Sequence, residues 1–232
     1  MKTSLDKMLA RTILEKALEL SQHGLTPDAA AVASEAKVEP SAVERLFREV
    51  AMRFGSLRRV TLGLAAVGYG ADPQRLTRYL TWQEMEEFVS EAAEASGLSS
   101  VKNLHLKING RRIQIDLLAY TPSHCIIFEC KRWSKRLAGQ TLDKVASQAR
   151  NRTIYVAEML AAKKPGTHAV FFTTVVLTVY EPAVRHLGDV YILPATVMPE
   201  LLRNHSNLLS SSTTHKKLSE TWFELFCKQL KS

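Results

Sequence analysis

Cysteine is scarce and poorly spaced for metal binding or crosslinking. The three present, Cys125, Cys130 and Cys227, make an odd number and show neither CxxC nor Cys/His ligand spacing. That argues against a structural zinc site and a disulfide framework, and it points to a reducing, cytoplasmic compartment. Long apolar runs are missing too. The longest, "AVFFTTVVLTVY" (169–180), is too short and too rich in threonine to span a bilayer. The opening "MKTSLDKMLARTILEK" carries acids and bases among its apolar residues and lacks the pattern of a signal peptide. No internal repeat is visible. Acidic residues are sparse in one stretch. Between Lys131 and Arg152 stand Lys131, Arg132, Lys135, Arg136, Lys144, Arg150 and Arg152 against the single acid Asp143.

What is present is an ordinary globular composition with a basic excess. Of 232 residues, 46% are hydrophobic and 23% charged, and the net charge is +8. A basic balance favours polyanion partners. The basic stretch after Lys131 reads either as a solvated loop and helix face or as a rim that holds phosphates by displacing counterions.

The first part of the chain is helical by period. Leu5, Met8, Leu9, Ile13, Leu14, Ala17 and Leu18 recur at helical spacing over 4–22. Thr26-Pro27 opens a second helix as N-cap and first turn. Pro40 or Ser41 opens a third, with Ser41 and Glu44 spaced as a capping box and Gly55 as its stop. "AVASEAKVEPSAVERLF" resembles a helix-turn-helix, with Lys37 where that motif usually has glycine. Because Arg45, Arg48 and Arg53 are mixed with Glu44 and Glu49, a plain docking or dimerisation domain fits as well as a DNA reader. Helical pattern continues over 57–67 and 73–80. Thr81 and Glu84 then form a second capping box for a helix that stops at Gly97.

From about residue 102 the period falls to two. "LHLKING" and "RRIQIDLLAY" alternate around a hairpin turn at Asn109-Gly110, "TPSH" turns again, and "CIIFECK" follows. A helix over 141–162, strands over 168–179 and 189–193, and a helix over 195–204 come next. Residues 205–216 read as a polar linker and 218–230 as an amphipathic helix. This order predicts an α/β fold, a mixed sheet flanked by helices, behind an N-terminal helical domain. The domain reading is 1–79, 80–204 and 205–232.

The chemistry gathers on one hairpin. A turn centred between Pro122 and Ser123 sets Asp116 opposite Glu129. Alternation then gives Asp116, Glu129 and Lys131 one face. The other face takes Ile113, Ile115, Leu117, Ala119, Ile126, Phe128 and Cys130. Two facing carboxylates repel, and a divalent cation relieves the repulsion. Mg²⁺ suits two carboxylates and a carbonyl, and it activates water and polarises phosphate. The bland alternative is a surface salt bridge to Lys131. The same letters recur in Asp28, Glu35 and Lys37, but on a helical stretch where nothing makes them converge.

"QID" on one strand and "FECKRW" on the next, between helices, resemble the PD-(D/E)xK nuclease superfamily. With "LTWQEMEEFVSEAAEASGL", the stretch from about 80 to 200 is most similar to archaeal Holliday-junction-resolvase-like and Mrr-like restriction endonuclease domains. The resemblance implies a restriction-endonuclease-like fold and Mg²⁺ (or Mn²⁺) bound by Asp116, Glu129, the Cys130 carbonyl and Glu86. It makes Lys131 the catalytic lysine and Gln148 a polar partner on the following helix. Ile115 stands where the name-giving pattern has proline. The function so implied is a DNA endonuclease of repair, recombination or restriction, with Arg132, Lys135, Arg136, Arg150 and Arg152 on phosphates. The alternative is a DNA-binding or regulatory protein that keeps the fold without turnover. Many relatives cut as dimers, so a homodimer is a further expectation, and no membrane partner is expected. Tyr120 shares the site's parity and could meet a phosphate. His124 reads as a solvated turn residue, and Trp133 as packing at the sheet edge.

Overall fold

The computed structural model describes residues 6–21, 27–72, 79–108, 111–130, 138–179 and 181–229. They form two units, residues 1–92 and 93–232.

In the first unit, α1 (Lys7–Leu20) starts after Asp6, whose side chain accepts the Met8 amide, and it buries Ala10, Ile13, Leu14, Ala17 and Leu18. Ile13, Leu14, Ala17 and Leu18 belong to the stripe the sequence period predicts, whereas Met8 is exposed and Ala10 is buried in its stead. α2 (Ala29–Ala36) begins later than expected. Asp28, not Thr26, is its N-cap, accepting the Ala31 amide at 3.1 Å, and Thr26 lies outside the described residues. α3 (Pro40–Phe54) has Pro40 in its first turn. Pro40 lacks an N–H and has a helical φ, so it starts the helix by itself. Ser41 is thereby inside the first turn, and the expected Ser41–Glu44 capping box gives way to Glu39 as N-cap, without a side-chain bond.

Between α2 and α3, Lys37 takes the left-handed conformation, φ 56°. The position therefore asks for glycine, as the resemblance to a helix-turn-helix suggested, yet a lysine occupies it. Gly55 ends α3 at φ 77°. α4 (Arg59–Gly68) is buried along most of its length. α5 (Trp82–Ala95) opens with the predicted capping box: Thr81 N–H donates to Glu84 at 2.7 Å and Glu84 N–H to Thr81 Oγ1 at 3.3 Å. Arg59 also forks onto Glu84, both contacts at 2.9 Å. Burial alone would raise this carboxyl, but the bonds from Arg59 and Thr81 carry it below its ordinary value. Residues 73–78 of the expected short helix lie outside the described residues.

The second unit is built on a seven-stranded mixed sheet. β1 (Ser99–Ile108), β2 (Arg111–Tyr120) and β3 (His124–Cys130) meander antiparallel. α6 (Gly139–Lys163) connects β3 to β4 (Pro165–Thr178), which pairs parallel to it. β5 (His186–Leu187) and β6 (Val190–Pro194) follow, giving the order β1-β2-β3-β4-β6-β5. Asn109 and Gly110 lie outside the described residues, but Ile108 pairs with Arg111 on either side of them. α6 lies on one face of the sheet. Its Val156, Ala157 and Leu160 join Leu118, Tyr120, Cys125, Ile127 and Phe172, and its Leu142, Val145 and Ala149 join Val176, Val190 and Ile192. After a 3₁₀ turn, α7 (Met198–Arg203) continues the chain.

The predicted face of Ile113, Ile115, Leu117 and Ala119 does not hold. Ile113 and Ile115 pack with Leu118 and Tyr120. Along β1, Val101 and Leu104 are both buried while Lys102 and Asn103 between them are exposed. The alternation shifts phase at Asn103 and Asp116. The cause is backbone conformation: Asn103 has φ 50°, and the Asn103–Asp116 rung is missing from an otherwise continuous register.

The chain's end also departs from expectation. Residues 205–216 are not a linker. A 3₁₀ segment (His205–Ser211) leads to β7 (Thr214–Leu218), antiparallel to the first half of β4. β6 pairs only from Thr174 onward, so the backbone of β4 before it needs another partner. α8 (Glu224–Gln229) is shorter than the predicted 218–230. Trp222 is fully buried, and its indole N–H donates to the Pro122 carbonyl at 2.8 Å. Tyr120 is stacked on Phe223 and edged by Trp222, so it is a core residue and not a phosphate contact. Among the described residues no helix is long and apolar enough to cross a membrane.

Candidate active site

The register of β2 and β3 is the one the Pro122–Ser123 turn predicts: Tyr120↔Cys125, Ala119↔Ile126, Leu118↔Ile127 and Leu117↔Phe128. The ladder ends there, one residue before Asp116 and Glu129. Beyond it a side chain replaces the backbone rung. The Cys130 N–H donates to the Asp116 carboxylate at 2.8 Å. Asp116 is therefore fixed against the end of β3, next to Glu129. An ionised carboxylate makes this a stronger bond than a neutral carbonyl would.

Glu129 sits where β3 runs beside β4, its Cα paired with that of Val176. Every residue of β3 is buried, and Glu129 is 4% exposed. It lies on the face that α6 covers, in phase with Cys125 and Ile127. From α6, Arg152 Nη1 donates to Glu129 Oε2. The α6 register is set by a buried chain of hydroxyls one residue on. Thr174 donates to Thr153 at 2.7 Å and meets the Thr213 hydroxyl at 2.7 Å. Thr153 and Thr174 are fully buried, and a satisfied polar contact in the core holds helix against strand in one register.

The other sequence candidates fall in different places. Glu86 is on α5, in the first unit, and is 5% exposed. Gln148 is exposed on α6, one turn before Arg152. Arg150 donates its Nε–H to both carboxylate oxygens of Asp189, at 3.0 and 2.9 Å. Lys131, Arg132, Trp133, Lys135 and Arg136 lie outside the described residues. Among the described residues no group of three His, Cys, Asp or Glu is arranged to hold a metal ion.

Two features depart from the sequence reading. The Arg152–Glu129 pair is one. Its signal is present in hindsight: Ala149, Thr153, Val156 and Leu160 are the inward stripe of α6, and Arg152 borders it. The second is His124. It is 1% exposed at the start of β3, bonded through Nε2 to Thr173 Oγ1 at 2.8 Å, with the His205 ring 5.9 Å away. It is a core histidine and not a solvated turn residue, because β3 begins one residue earlier than its apolar run suggests. Burial, and then the neighbouring His205, hold its pKa down to about 4.

Residues 81–178 match the family model of the nuclease-related domain. The matched segment runs from the cap of α5 to the end of β4, so it contains Asp116, Glu129 and Arg152. No curated protein and no solved structure matches the chain.

Proposed function

We propose that this nuclease-related segment is a metal-dependent endonuclease that hydrolyses phosphodiester bonds in DNA, of the PD-(D/E)xK type. The observation that supports the reading is the hydrogen bond from the Cys130 N–H to the Asp116 carboxylate, which holds Asp116 against the end of the strand that carries Glu129. The donor set suits a hard divalent cation. Two carboxylates from adjacent strands and the Cys130 carbonyl are oxygen ligands, and Mg²⁺ needs only one or two carboxylates beside water and phosphate.

When bound, such an ion would lower the pKa of a water and polarise the scissile phosphate. The residues of the chain do the rest. The Cys130 amide holds the Asp116 carboxylate in place. Lys131 follows Cys130 directly and would take a proton from the attacking water or offset charge on the phosphate. Arg132, Lys135, Arg136 and Arg152 would bind the DNA backbone electrostatically. A net charge of +8 supports a polyanion substrate.

One observation favours the second reading, a DNA-binding protein without turnover. The Arg152 guanidinium already occupies Glu129. A cleavage assay separates the two. Wild type is incubated with linear, branched and damaged DNA in Mg²⁺ or Mn²⁺, with and without chelator, beside Lys131→Ala. The endonuclease reading expects metal-dependent cleavage that Lys131→Ala loses. Binding without cleavage on every substrate supports the second reading, and full cleavage by Lys131→Ala contradicts the assignment of Lys131 as the catalytic lysine.

A further inference from the structure

We propose that Arg152 is a built-in counterion of the candidate site, bound to Glu129 when no metal is present and handed to a DNA phosphate when a divalent cation takes the carboxylate. The inference rests on the reading of Asp116 and Glu129 as metal ligands and adds an exchange step to it.

The Glu129 side chain is 5% exposed, and a buried carboxylate needs a partner of opposite charge or a set of hydrogen bonds. Arg152 supplies both, as a charged N–H donor. A divalent cation on Glu129 would stand within a few ångströms of that guanidinium. Two positive charges so close repel strongly in a partly buried site. One of them must withdraw.

The structure shows which group can move. The helix cannot slide easily, because Thr153, the next residue, is locked to Thr174 at 2.7 Å. The Arg152 side chain can swing, because it is 32% exposed and already reaches solvent. Its neighbour Arg150 is engaged elsewhere, its Nε–H donating to Asp189. A displaced guanidinium keeps its fork of donors, and that fork matches the oxygens of a phosphodiester. Arg152 thus links metal binding to DNA binding. Before loading it occupies the acid, and after loading it becomes a phosphate ligand.

Mn²⁺ binding by calorimetry, without DNA, tests this on the full chain. Wild type is compared with Arg152→Gln, which removes the competing charge, and with Arg152→Lys, which keeps it. The expected result is Mn²⁺ affinity higher in Arg152→Gln by about 5- to 100-fold, the usual range of coupling between sites. Arg152→Lys should stay near wild type. DNA affinity in Ca²⁺ should move the opposite way, weaker in Arg152→Gln, with a salt slope smaller by about one. Mn²⁺ affinity in Arg152→Gln equal to or below wild type overturns the proposal and leaves the metal site standing. No Mn²⁺ uptake by either wild type or Arg152→Gln overturns the underlying nuclease reading itself. Should Arg152→Gln fail to fold, a crystal structure of wild type with Mn²⁺ decides. Arg152 withdrawn from Glu129 supports the exchange, and Mn²⁺ on Glu129 beside an unmoved Arg152 refutes it.

Discussion

The backbone amide of Cys130 donates to the carboxylate of Asp116 at 2.8 Å, across the point where the β2–β3 ladder stops. Asp116 therefore has a structural task in addition to any chemical one. Replacing it with alanine leaves a partly buried N–H without its charged acceptor, at a cost of about 1–3 kcal/mol. The Asp116→Asn variant keeps an acceptor oxygen in the same place and should lose about 1 kcal/mol or less. Urea denaturation of Asp116→Ala and Asp116→Asn should show this order, and equal losses would contradict it.

Lys37 carries the turn between α2 and α3 at φ 56°. A side chain with a Cβ is strained there, and glycine is not. Lys37→Gly should stabilise the helical unit by up to about 1 kcal/mol, while Lys37→Val should destabilise it because a β-branched residue fits a left-handed φ worse. Denaturation midpoints of the two variants, moving in opposite directions from wild type, are the check.

His124 should make the fold sensitive to mild acid. Its folded pKa is about 4, below the unfolded value near 6.5. Between those values the unfolded chain binds a proton that the folded chain refuses. The stability that a neutral His124 represents is thus complete above about pH 6.5 and is lost as pH falls toward 4. The size is on the order of 3 kcal/mol. His124→Gln should lose less stability than wild type between pH 7 and pH 4.5. An identical decline in both proteins would remove His124 as the cause.

At Gly166, β4 lies close against the backbone at the end of the C-terminal strand. A Cβ built there would collide with the backbone of Leu218, and backbone cannot swing aside as a side chain can. Gly166→Ala should force β4 and β7 apart at this end and cost about 1–3 kcal/mol. Amide exchange at Lys216, Lys217 and Leu218 should accelerate, since local opening would expose that rung first. Unchanged protection there would show that the strands can absorb the methyl group.

Much of the central hairpin was legible in the sequence, because its register follows from one turn and one alternating pattern. Leu117↔Phe128 and its companions fall where the Pro122–Ser123 turn requires. The capping box of Thr81 and Glu84 was legible for the same reason, being a local pattern. The phase shift at Asn103 was not, since one residue in left-handed backbone leaves no mark on the letters around it. Strand β7 was missed because its residues are polar. It exists to pair an edge of β4 that β6 leaves uncovered, a demand set by distant chain. The same holds for Arg152. Its charge suggested phosphate, whereas its neighbour in space, Glu129, belongs to another element.

Asp116 and Glu129 are proposed to support metal-dependent cleavage of DNA together. The most direct test is nicking of supercoiled plasmid in Mg²⁺ by wild type and by Asp116→Asn, the variant expected to stay folded. The account predicts nicking by wild type that chelator abolishes, with a rate in Asp116→Asn lower by about 100-fold or more, in line with the loss of a group that stabilises developing charge. Nicking by Asp116→Asn at the wild-type rate would contradict it.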